Sequence, residues 1–205
     1  MCGMKISFGL FGRTFLALNA ATAFTLAHAA EPSAFDLIKE GNRYVGEQAK
    51  DKIVQIRSEK SVGTLTPNIW YVVFYDPTAT LKATEVEFGA GKMLKVRRPM
   101  RLLEPVHGGD VPLDREKLKV DSDQAIKSAL AEPLLQNLKI TATQLKLERV
   151  SEGALGGGMA QPVWKVRVWA AKLRNAYRDA EIGEVWVSAV DGKELKTDLH
   201  LNRVD

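Results

Sequence analysis

The chain has 205 residues, 45% of them apolar and 26% charged, which is the composition of a folded protein of one ordinary domain or two small ones. That mixture excludes long disorder, and the formal charge of +4 comes without a clustered basic stripe, so no nucleic-acid partner is expected.

The first thirty residues stand apart. Lys5 and Arg13 are their only charges, Thr14 to Ala27 is mostly apolar, and Ala27-His28-Ala29 follows as a small-x-small cleavage site. This order reads as a secretory signal peptide over 1–29, because the apolar run is shorter than the roughly 20 residues a membrane span needs. The expected location is the periplasm or exterior of a bacterium, with no stable membrane insertion. Cleavage removes Cys2, the sole cysteine, so core burial alone must hold the exported chain together.

Ser33 with Asp36 three positions on has capping-box spacing, and Phe35, Ile38 and Val45 fall on one helical face, predicting a helix over about 33–48. Alternation then predicts strands at 52–59, 69–75, 82–89 and 92–97, the last two joined at Gly89-Ala90-Gly91. Pro99, Pro105, Pro112 and Gly108-Gly109 mark 99–120 as a connector. Asp121 and Gln124 open a second helix. Strands are predicted at 139–150, 163–171, 184–190 and 193–202, with loops at 151–161 and about 171–181 and a hairpin at Asp191-Gly192.

Trp70-x-Val72-x-Phe74 answers Trp164-x-Val166-x-Val168, and Glu85-Val86 before Gly91-Lys92 answers Glu184-Val185 before Gly192-Lys193. The expected fold is therefore α+β, in two tandem units, each a helix packed on a four-stranded antiparallel sheet, spanning 30–98 and 121–205.

Asp121–Ala131, Pro162–Val168 and Ile182–Leu195 together resemble the PepSY and PepSY-like domains of exported bacterial proteins. The first half matches only through the Trp70 pattern and has no Asp-Gly turn. The resemblance implies a helix packed on a curved antiparallel sheet, and two copies in tandem are similar to the plan of β-lactamase inhibitor proteins, whose sheet face grips an enzyme. It implies inhibitory or regulatory binding and no catalytic residues.

Sites of chemistry find little support. Beyond the leader the histidines are His107 and His200, without a second His or Cys at ligand spacing, so neither metal nor other cofactor is expected. Gly156-Gly157-Gly158 lacks the following Lys-Ser/Thr of a phosphate loop, and no nucleophile-elbow motif is present. Strand alternation is more informative. With Trp164, Val166 and Val168 turned to the helix, Lys165, Arg167 and Trp169 turn away, and by the same parity Trp186, Tyr71, Val73 and Tyr75 face outward. Tyr71, Tyr75, Lys165, Arg167, Trp169 and Trp186 are accordingly the candidate binding residues. Such a face serves an external protein partner, packs one unit on the other, or covers a homodimer contact. The first reading makes the protein a non-enzymatic recognition module, the alternative a periplasmic small-molecule binder with a pocket between helix and sheet. A hydrolase using His107 or His200 ranks third.

Overall fold

A computed structural model describes residues 32–99, 112–151, 153 and 160–204. The chain divides into Met1–Ala30 and Glu31–Asp205, and all described residues belong to the second unit. The expected signal peptide, His107, the triple glycine and most of the connector lie outside the described residues.

Helix α1 (Ala34–Gly41) is followed by β1 (Ile53–Ser58), β2 (Ile69–Tyr75), β3 (Ala83–Gly89) and β4 (Lys92–Arg97). Helix α2 (Ser122–Leu130) is followed by β5 (Leu138–Val150), β6 (Gln161–Lys172), β7 (Asn175–Ser188) and β8 (Glu194–Leu199). All eight strands form a single antiparallel sheet in the order β4-β3-β2-β1-β5-β6-β7-β8.

This overturns the expectation of two tandem units, each with a helix on its own four-stranded sheet. The physical reason is that such units would each expose an edge where β1 and β5 instead meet. Ile56 pairs with Leu147 and Arg57 with Lys146 across that joint. Side chains extend the seam: Leu145 N–H donates to Ser58 Oγ at 2.9 Å, and Thr143 N–H to Ser61 Oγ at 2.9 Å.

The helices are tied together as well. Ser33 caps α1 by accepting from the Asp36 N–H. Two further N–H groups of its first turn go to the start of α2, Ala34 to Ser122 Oγ and Phe35 to Asp121 Oδ1, both at 3.2 Å. Asp121 also forms a capping box with Gln124, so one aspartate serves the N-termini of both helices. The Phe35 ring of α1 packs against Trp164 of β6, with centroids 6.4 Å apart.

One buried cluster runs under both helices, joining Leu37, Ile38 and Phe74 to Leu145, Leu147 and Trp164. Trp70 and Trp164 point into it and keep their indole N–H groups satisfied on the carbonyls of Pro67 and Val120, each at 2.8 Å. The described end of the connector adds Leu113, Leu118 and Val120 to the same core, where Lys119 and Val120 donate to the Ala189 carbonyl.

Local expectations shift in two further places. Helix α1 stops at Gly41 rather than near residue 48. Asn42 turns its amide to Asp51, and the chain reaches Val45, which is still buried, through turns. The expected loop at about 171–181 is instead an extension of the β6–β7 hairpin, with Lys172 opposite Asn175 and Ala170 opposite Ala180. Ladder hydrogen bonds hold it although Arg178 and Asp179 are exposed, so hydrophobic alternation does not mark it. At Gly183, where φ is 124°, a Cβ would lie 2.0 Å from the Asp198 carbonyl oxygen, so β8 reaches β7 only over a glycine.

Asp121→Ala removes the cap of α2 together with a hydrogen bond to the first turn of α1 and is expected to lower stability by about 2 kcal/mol, the upper end for a cap. In urea the natural chain should unfold in a single transition seen alike by tryptophan fluorescence and circular dichroism. Two separated transitions would show that the halves fold independently.

Candidate functional site

The sheet face opposite the helices carries one row of residues across all eight strands. In register order it reads Lys95, Glu87, Tyr71, Arg57, Lys146, Lys165, Trp186, Lys196. Tyr71, Lys165 and Trp186 thus share a row, and Arg167 lies beside it on β6. The antiparallel register puts Tyr75 toward one end of the face and Trp169 toward the other, so the six candidates share a face but do not form one cluster.

The rings of that row are covered by cations. Tyr71 is 8% and Trp186 6% exposed. The Arg57 guanidinium lies 4.0 Å from the Tyr71 ring centroid and that of Arg97 5.5 Å away. Lys165 and Lys196 lie 4.4 and 4.8 Å from the Trp186 ring. Trp169 and Tyr75 are half-buried, and Lys60 approaches the Trp169 ring at 4.9 Å. At the centre of the face the ring is the floor and the cation the outer surface.

Carboxylates fix these cations in place. Glu85, 1% exposed, accepts from Arg57 at 2.9 Å and from Arg97 at 2.6 Å. Glu148 accepts from Lys146 at 2.9 Å, Lys165 at 2.7 Å and the Gln55 amide at 3.2 Å. Burial pushes the Glu148 carboxyl up, but the two lysine hydrogen bonds outweigh it and hold the group below the usual carboxylate range. Tyr71 is pushed up to about 12, by burial first and then by the hydrogen bond its hydroxyl donates to Glu59 at 2.8 Å. The Trp186 indole donates to Glu184 at 2.7 Å, and Arg167 stands 3.5 Å from Glu181.

Between these groups, directly over the β1–β5 joint, lies a groove of about 460 Å³ lined by Arg57, Gln144, Lys146, Lys165, Arg167 and Glu184. Its wall is polar and mainly cationic. Arg57, Gln144, Lys146 and Glu148 were not among the sequence candidates. Alternation on their strands would place them outward, but only the cross-half register brings them beside Lys165 and Arg167. On the other side of the sheet, Leu37, Ile38, Phe74 and Trp164 are fully packed between helices and strands. No cluster of three or more His, Cys, Asp or Glu among the described residues could hold a metal ion, and His200 stands 3.4 Å from Asp198. No protein-family model, curated protein or solved structure matches the chain.

The raised Tyr71 value makes its phenol stabilising in full below the ordinary value of 10.0, a contribution lost as pH rises through about 12. Phenolate absorbance should show a late-titrating step that Tyr71→Phe removes; an unchanged titration curve would contradict the packing described. On the acid side the sign is reversed. The contribution of Glu148 is full above 4.5 and is lost as pH falls through its depressed value, so Glu148→Gln should flatten the acid limb of stability against pH. Parallel acid limbs in the two proteins would contradict it.

Proposed function

We propose that the protein is an exported, non-enzymatic recognition module that binds another protein through the open face of its sheet. The observation that carries this reading is the groove over the β1–β5 joint, where Arg57, Lys146, Lys165 and Arg167 converge, Arg57 over the Tyr71 ring and Lys165 over that of Trp186. Arginine, tyrosine and tryptophan are the residue types that dominate binding energy at protein interfaces. Held by Glu85, Glu148 and Glu181, the cations are already ordered before a partner arrives, which reduces the entropy lost on binding. Their field suits a partner surface of negative potential. The likeness of Asp121–Ala131, Pro162–Val168 and Ile182–Leu195 to PepSY-like domains supports binding rather than catalysis.

In this reading Arg167, Lys165 and Trp169 make direct contacts, Tyr75 extends the surface, and Tyr71 and Trp186 hold the cations in position. Affinity capture from an envelope extract of the producing bacterium, with the Lys165→Glu/Arg167→Glu double variant in parallel, tests it. A partner captured by the natural protein should lose about 2 kcal/mol or more of affinity for the variant, and Trp169→Ala should weaken it too. A partner held equally well by the folded variants would place recognition elsewhere.

A further inference from the structure

We infer that strand β4 is a second docking site, an open sheet edge that takes up an extended acidic polypeptide segment as a ninth strand. This goes beyond the groove at the β1–β5 joint and uses different atoms. β4 ends the strand order and, among the described residues, pairs with β3 alone. Its outer row of backbone N–H and C=O groups faces no other described strand, which is the geometry that strand addition uses.

The side chains of this edge are those of a binding strand with a defined charge preference. Residues 92–96 are exposed, and three of them are apolar: Met93, Val96 and Leu94, the last 56% exposed. Lys92, Lys95, Arg97 and Arg98 supply four cations, and 92–98 contains no acid. Arg97 is engaged by Glu85 and Arg98 by Asp76, whereas no described residue forms an ion pair with Lys92 or Lys95. Edge lysines deter self-pairing because two copies would bring like charges together, and the same field attracts a segment rich in carboxylates.

The opposite edge has neither property. Strand β8 mixes Glu194 and Asp198 with Lys196, and Leu201 and Val204 of the 3-10 turn that follows it pack on the core. Beside β4, in contrast, lies a concavity of about 360 Å³ lined by Tyr44, Val45, Val96, Arg97 and Arg98, with Asp76 in its lining buried and engaged by Thr84 and Arg98. An added strand turns alternate side chains to one face, where this hollow receives an apolar one while its carboxylates meet the cations.

The test is fluorescence anisotropy of the purified protein with a labelled peptide of about eight residues alternating glutamate and valine, enough to span the strand. Two control peptides alternate lysine with valine, or glutamate with proline, the second keeping the charge but unable to form the ladder. The expected result is binding of the glutamate–valine peptide alone, with slowed amide exchange at residues 92–97. Lys92→Glu/Lys95→Glu, and the milder Lys92→Gln/Lys95→Gln, should each weaken it, the first by about tenfold or more. Equal binding of the proline peptide, unchanged exchange in β4, or variants that bind as well as the natural protein would overturn the proposal. Self-association abolished by the same substitutions would also overturn it, since a second copy would then be the occupant. Lys165→Glu/Arg167→Glu serves as the separating control: it should leave peptide binding intact, so failure at β4 leaves the groove reading standing.

Discussion

The antiparallel pairing of β1 with β5 is the constraint on which the other features depend. It joins the first strand of one half of the described chain to the first strand of the other, removes two edges from solvent and makes one sheet of eight strands. Everything above and below the sheet follows from that closure. On the helix side, Phe35 of the first helix meets Trp164 of the sixth strand, and Asp121 caps the second helix while accepting an N–H of the first. On the other side, Arg57 and Lys146 become direct neighbours, and the groove exists because they do.

Charge on the open face is organised by depth. Carboxylates are lowest and most protected, with Glu85 nearly inaccessible and Glu148 mostly covered. Aromatic rings lie among them, and the cations spread over the rings toward solvent. A buried carboxylate is costly unless its partners stay in place, so Glu85 and Glu148 restrict where Arg57, Arg97, Lys146 and Lys165 can go. A face built this way presents ordered positive charge instead of mobile side chains. That ordering links the packing of the sheet to the recognition role proposed for it.

Much of this was legible in the sequence because it is encoded locally. Alternation in Ile69–Tyr75 and Val163–Val168 separates core from open face, and Asp121 with Gln124 announces α2. Ala90-Gly91 and Asp191-Gly192 mark turns whose glycines take positive φ. The architecture was not legible, because no local pattern says that Ile56 will face Leu147. Two similar-looking halves suggested two sheets, and the register that unites them is a long-range choice made by edge pairing and a shared core. The candidate site suffered the same limit. Outward parity located Tyr71, Lys165 and Trp186, while Arg57, Lys146 and Glu148 gain their meaning only from the strand across the joint. The covering of Tyr71 and Trp186 by cations was likewise invisible, since exposure depends on neighbours that are distant in sequence.

The most direct test of the account is residue-resolved amide hydrogen exchange at the joint. The amides that point across the joint, Ile56 of β1 and Leu145 and Leu147 of β5, should exchange only through global unfolding, with the same protection free energy as the core amides of β2 and β6. If those amides exchange as fast as surface strands while β2 and β6 remain protected, the two halves separate in solution. The continuous sheet, and the groove built across it, would then be contradicted.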